Sequence, residues 1–101
     1  MAGATKLSPE AVLILLSLAD GSKHGYAIQQ DIAAVTGRSL GPGSLYGALA
    51  RLEALGYILP SETEGSRRPY SLTAAGLTAL SNAVESMRRV TDAAVRRLAT
   101  R

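Results

Sequence analysis

The chain has 101 residues, 47% of them hydrophobic and 4% aromatic, with no cysteine and a formal net charge of +3. That length suits one domain with a modest core, and the missing cysteines exclude disulfides and thiolate metal sites and fit a reducing compartment. The start MAGATKLSPE has no signal-peptide core, and the longest apolar run, AVLILL, is far short of the roughly 20 residues of a membrane span, so a soluble cytoplasmic protein is expected.

Ser8-Pro9-Glu10 opens a first helix. Ser8 can cap free backbone N–H groups, Pro9 suits the first helical position, and Glu10 favours the positive end of the dipole. The following AVLILLSLAD is apolar nearly all round and stops at Asp20-Gly21, so it should pack on its own core and on another subunit. SKHGYAIQQDIAAVTG reads as a second helix. Tyr26, Ile28, Ile32 and Val35 recur at near-helical spacing, and Gly37 suits its end. Arg38-Ser39-Leu40 is a short extended link.

GPGSLYGALARLEALG, Gly41 to Gly56, is the third helix, with Pro42 in its first turn and Gly56 just past its end. Leu45, Ala48, Leu49, Leu52 and Leu55 share one face. Gly43, Gly47, Ala50 and Ala54 share the other, flanked by Ser44, Tyr46 and Arg51. Tyr57-Ile58-Leu59 starts a strand, Glu64-Gly65-Ser66 turns, and RRPYSL returns, with Pro60 and Pro69 at strand ends or edges. Thr73 caps a last helix running from Ala74 towards Arg101. Leu77, Leu80, Val84, Met87, Thr91, Ala94 and Leu98 form a heptad seam on it that needs a partner surface. Three helices, a hairpin and a long helix make a mainly α winged helix-turn-helix with a small β-hairpin. Residues 1–73 would be the DNA-binding part and residues 74–101 a dimerisation helix, together one compact unit.

A reader helix must seat in a major groove about 12 Å wide, and a side of Gly43, Gly47, Ala50 and Ala54 gives that clearance. Ser44, Tyr46 and Arg51 beside it can bond phosphates or base edges. The plain alternative is that alanine is simply the best helix former and Gly47 is tolerated at about 1 kcal/mol. Lys23 and Tyr26 lie where a helix N-terminus can meet a phosphate, though Tyr26 can equally be a core aromatic with a wet hydroxyl. Arg67 and Arg68, at the hairpin turn, can enter a minor groove or grip phosphates, or can be solvated charges balanced by Glu62 and Glu64. The tail arginines Arg88, Arg89, Arg96, Arg97 and Arg101 read as solvated faces of a dimer helix rather than a membrane anchor, because the helix lacks Trp and Phe. His24 is the sole histidine, and no phosphate-loop, metalloprotease or nucleophile-elbow pattern is present. No catalysis, cofactor or metal is expected.

LLSLADGSKHGYAIQQDI, GPGSLYGALARLEALGYI and RRPYSLTAAGLTAL together resemble the PadR-type transcriptional regulators in their short single-domain form. The resemblance runs over roughly Ser8 to Leu80, with Gly47 standing where the family usually has proline. It implies a homodimeric winged-helix repressor on a near-palindromic operator in double-stranded DNA. Ser44, Tyr46 and Arg51 would be reader contacts, Lys23 and Tyr26 phosphate supports, and Arg67 and Arg68 the wing. The first and last helices would build the dimer, through Leu13 and Leu16 and through Leu77, Leu80, Val84, Met87, Ala94 and Leu98. Some short members of the family stack flat aromatic drugs between tryptophans. This chain has no Trp or Phe to do so, and its effector, if it has one, is left open. The rival reading is a winged-helix protein-interaction module without DNA binding. It is motivated by six basic and six acidic residues in positions 1–73, which leave the net charge to the tail.

Overall fold

The computed structural model describes residues 6–61 and 68–101 of the chain. Ser8 begins α1 (Pro9–Leu18), its hydroxyl accepting a hydrogen bond from Ala11 N at 3.1 Å, with Pro9 in the first turn. Ala11, Ile14, Leu15 and Leu18 are buried, while Leu16 stays exposed and Val12 and Leu13 are half-buried. α1 touches α2 (Gly25–Thr36), α3 (Pro42–Ala54), β2 (Tyr70–Leu72) and α4 (Ala74–Ala99).

α2 contributes only Ile28 and Ile32 to the core as large side chains. The apolar spacing predicts Tyr26 and Val35 on that face as well, but Tyr26 is 71% and Val35 58% exposed. Tyr26 is therefore not a core aromatic. Its hydroxyl accepts from Gln30 Nε2 at 3.4 Å, one turn along the same helix. Gly37 ends α2 in the left-handed conformation (φ 82°), a backbone that glycine adopts without penalty. Leu45, Leu49 and Leu52 bury one face of α3, with Ala48 and Leu55 at its border.

β1 (Ile58–Pro60) pairs antiparallel with β2, in the register Ile58 to Leu72, Leu59 to Ser71 and Pro60 to Tyr70. Both prolines fall where no ladder donor is lost: Pro60 ends β1 and Pro69 precedes β2. A third contribution to this sheet was not visible in the sequence. Lys23 N donates to Tyr70 O at 3.1 Å and Tyr70 N to Lys23 O at 2.9 Å, so the chain just before α2 is stitched to β2. The expected turn at Glu64-Gly65-Ser66 lies outside the described residues. The order of helix, helix, helix, hairpin and long helix is a winged helix-turn-helix, as the sequence predicts.

The joint between hairpin and last helix is tight. Thr73 Oγ1 accepts from Gly76 N at 3.0 Å and donates to Gly56 O at 2.7 Å, and Thr73 N donates to Tyr57 O at 3.1 Å. Gly76 lies so near that a Cβ would stand 2.1 Å from the Tyr57 carbonyl oxygen and 2.9 Å from Leu72 Cδ1. Only glycine lets α4 start there. Leu80 is 6% exposed and belongs to the core, whereas Leu77, Val84, Met87 and Leu98 on the same helix are exposed. From Val84 onwards no residue of α4 is buried. The sequence assigns Leu80 to a subunit interface; within this chain it packs in the domain's own core, on which the first turns of α4 lie.

Gly76→Ala is expected to lower the unfolding free energy by about 3 kcal/mol, because backbone rather than a movable side-chain tip blocks the added methyl. Gly47→Ala, where a Cβ meets nothing within 4 Å, should leave stability unchanged or raise it by up to about 1 kcal/mol. Urea denaturation of the two variants checks both.

Candidate nucleic-acid interface

The outward side of α3 is continuous and lightly built. Gly43, Ser44, Tyr46, Gly47, Ala50, Arg51 and Ala54 are all exposed, and the space around Gly41, Gly43 and Gly47 is open. The helix starts at Gly41, which has no side chain to cap it, with Pro42 in the first turn, so its leading N–H groups point outward without a capping side chain. α2 also begins without a side-chain cap, at His24. α1 and α4, by contrast, are capped by Ser8 and Thr73. Free N–H groups and the helix dipole make such ends ready acceptors of phosphate oxygens.

Two contacts seat α3 on α2. Gln29 Nε2 donates to Leu40 O at 2.5 Å and Leu40 N donates to Gln29 Oε1 at 2.9 Å. One side-chain amide thus satisfies both backbone groups of the residue that leads into α3. The second contact is between Tyr46 and Gly25. Gly25 is buried in the first turn of α2, and an added Cβ would stand 2.8 Å from Tyr46 Oη. Tyr46 lies back across α2, yet remains 55% exposed. Sequence reasoning missed both Gly25 and Gln29. A glycine in the first turn of a helix was the available signal for Gly25. Gln29 gave none, since its partner lies 11 residues away in the turn.

Of the other residues singled out in the sequence, Tyr26 is exposed at the start of α2. Lys23 is turned inward. Its ammonium donates to Ser17 O at the end of α1 and pairs with Asp20 at 2.6 Å. The Lys23 hydrogen bond and charge hold the Asp20 carboxyl below the ordinary carboxylate value. Arg51 lines a shallow groove with Lys6, Ser8 and Pro9 at the start of α1, which brings a second cation, Lys6, near the end of the α3 face. Arg68 is exposed beside the hairpin, its Nη1 donating to Ser61 O at 3.5 Å. Arg67 lies outside the described residues. A second groove, of about 660 Å³, runs between α1 and α4 and is lined by Leu7, Val12, Leu13, Tyr57, Ala83 and Met87 among others. Among the described residues no cluster of three metal-ligating side chains occurs, and no helix is long and apolar enough to cross a membrane.

The family model of the transcriptional regulator PadR-like family matches residues 14–82, which takes in α1 from Ile14, the helix-turn-helix, the hairpin and the start of α4. The chain belongs to this family. Solved structures similar to this PadR-like chain include a transcriptional regulator from Clostridium thermocellum, with a TM-score of 0.76 and 27% identity over 90% of this chain and 97% of that one. A PadR family transcription regulator from Clostridium difficile has a TM-score of 0.76 and 25% identity over 90% of this chain and 99% of that one. RosR of H. salinarum shares the fold, with a TM-score of 0.75 and 24% identity over 98% of this chain and all of that one (100%). A 37.1 kDa protein in transposon TN4556 of Streptomyces fradiae is 53% identical over 79 residues, 78% of this chain. This chain spans only 23% of that relative's length.

Gln29→Ala would leave the Leu40 N–H and C=O without their side-chain partner. It is expected to cost about 1–3 kcal/mol in unfolding free energy. Hydrogen exchange should show the loss first at the Leu40 amide, ahead of the core of α1.

Proposed function

We propose that this PadR-like chain is a sequence-specific regulator of transcription that binds double-stranded operator DNA as a homodimer and represses by occupying it. The observation that supports this best is the outward side of α3. Leu45, Leu49 and Leu52 anchor one face in the core, while Gly43, Gly47 and Ala50 keep the other low enough to enter the major groove. In this reading Ser44, Tyr46 and Arg51 contact phosphates and base edges, and Gly43 and Gly47 allow the backbone close. Tyr26 and the uncapped start of α2 meet a phosphate. Lys23 serves the site by holding the start of α2 against α1 and β2. Arg67 and Arg68 form the wing contact, and Lys6 adds a cation beside Arg51.

The homodimer is supported by α4. A helix of 26 residues is about 39 Å long, and from Val84 onwards it carries Val84, Met87, Val90, Val95 and Leu98, which the described residues leave exposed. With Leu13 and Leu16 of α1, and with Leu77 and Ala94 of α4, these side chains form the face that a second copy would bury. Leu80 contributes from beneath, as core. A small-molecule effector has no assigned residues in this reading, and the setting is the cytoplasm, where the DNA is.

Arg51→Ala is expected to weaken binding to the DNA upstream of the chain's own gene by about 1–3 kcal/mol while leaving the thermal unfolding midpoint unchanged. Gly47→Lys puts bulk on the face and should abolish sequence preference. Fluorescence anisotropy across a salt series reads both, and the absence of any binding at low salt would favour the protein-interaction module instead. Met87→Asp with Leu98→Asp, both at exposed positions, should yield folded monomers in sedimentation. A persistent dimer would remove α4 as the interface.

A further inference from the structure

Gly25 does not owe its place to backbone conformation. It is not among the glycines with positive φ, and alanine would suit a first helical turn at least as well. What its missing Cβ provides is space. That carbon would stand 2.8 Å from Tyr46 Oη, 3.3 Å from Cζ and 3.4 Å from Cε1, and among the described residues nothing else beyond its chain neighbours and its own helix backbone comes as close. The obstructing atoms are the outer end of a side chain that is 55% exposed, so the ring can swing into solvent with little disturbance of the core. The position of Tyr46, more than the fold, therefore depends on this glycine.

We propose that Gly25 is a positioning residue for DNA recognition: it leaves the recess that holds the Tyr46 ring back against α2, so that α3 can seat in the groove. The proposal rests on the reading of α3 as the DNA-contacting helix. Tyr46 flanks the side of α3 that carries Gly43 and Gly47, whose clearance that reading needs, and it is the largest exposed side chain of α3. A tyrosine projecting straight outward would hold the backbone away from the bases and would cancel what the small residues provide. Folded back, it keeps the face low. It also fixes its hydroxyl beside the first turn of α2, where a phosphate meeting that turn would find it already ordered. Gly25 in one helix and Gly43, Gly47 and Ala50 in the next then serve one requirement.

The experiment is a double-mutant cycle on the full chain with Gly25→Ala, Tyr46→Ala and both together. It is read by anisotropy with the upstream DNA, by thermal unfolding and by the ring resonances of Tyr46. Gly25→Ala should shift those resonances, leave the unfolding midpoint nearly unchanged and weaken specific binding about tenfold. In the Tyr46→Ala background it should weaken binding no further, because its only route of action has been removed. Full additivity of the two losses, or unmoved Tyr46 resonances in Gly25→Ala, would overturn the proposal. If Tyr46→Ala binds DNA as the parent does, the assignment of Tyr46 to the interface fails, and this inference with it. If Tyr46→Ala binds weakly but Gly25→Ala binds as the parent, only the role of Gly25 fails. Should Gly25→Ala not fold, adding Tyr46→Phe, which removes the nearest atom, must restore folding; failure to do so would place the obstruction elsewhere and refute the positioning role.

Discussion

Ile14 and Leu15 are fully screened from solvent because α2, α3, α4 and β2 all lean on the helix that carries them. A chain of 101 residues has few apolar side chains to spend, and committing α1 to the interior lets every other element be buried on one side only. Ile28 and Ile32 face α1 from α2, Leu45, Leu49 and Leu52 from α3, and Leu80 from α4. What remains outward is therefore set by subtraction. α3 keeps a low polar face and α4 keeps an apolar one. Had α1 been amphipathic, as a surface helix usually is, α3 would have lost its seat and the two outward faces would have no fixed relation.

That relation is held at Thr73 and Gly76. The threonine caps α4 and bonds back to the end of α3 at Gly56, while the glycine allows α4 to lie on the Tyr57 carbonyl. The proposed reader helix and the proposed dimer helix thus meet at one rigid corner rather than across a linker. In a two-fold dimer such a corner fixes how far apart the two reader helices stand, and half-site spacing follows from that distance. The run Tyr70-Ser71-Leu72-Thr73 and Gly76 gains a physical account here: Tyr70 pairs its backbone with Lys23, Leu72 pairs with Ile58, Thr73 caps, and Gly76 makes room.

Much of the fold was legible because it rests on local rules. Ser8, Pro9, Gly37, Pro42 and Thr73 mark helix ends through their own backbone chemistry, and the leucines of α3 announce their face by spacing alone. Errors arose where a residue's neighbour is distant in sequence. Tyr26 and Val35 fit the apolar period of α2, but the helix is only narrowly buried and both fall beyond the edge of the contact. Lys23 at the head of α2 reads as a phosphate contact, and its contacts with Asp20 and the end of α1 are not visible in the sequence. Leu80 fits the seam of α4 and the core equally well, and only the packing of α4 on α1 decides. For the candidate site, the small face of α3 was visible in the sequence. The devices that seat it, Gln29 on Leu40 and Gly25 beneath Tyr46, were not, since each joins residues that no periodicity connects.

The balanced charge of residues 1–73 is the main objection to a DNA-binding face, and the structure changes its weight. A basic patch raises affinity for any phosphate backbone, and it does so for wrong sequences as much as for right ones. Uncapped helix ends supply dipoles and N–H donors without net charge, and they act only where a phosphate meets them in the right geometry. Glu53 is exposed on α3, yet it lies near the C-terminal end, about 13 Å along the axis from Ser44, and a reader helix engages bases mainly through its N-terminal residues. In the proposed homodimer, two copies would double whatever cations each brings, including Arg51, Lys6 and Arg68. A face so arranged gives up indiscriminate attraction and gains dependence on fit, which suits a small regulator that must distinguish one site from the many it would otherwise occupy.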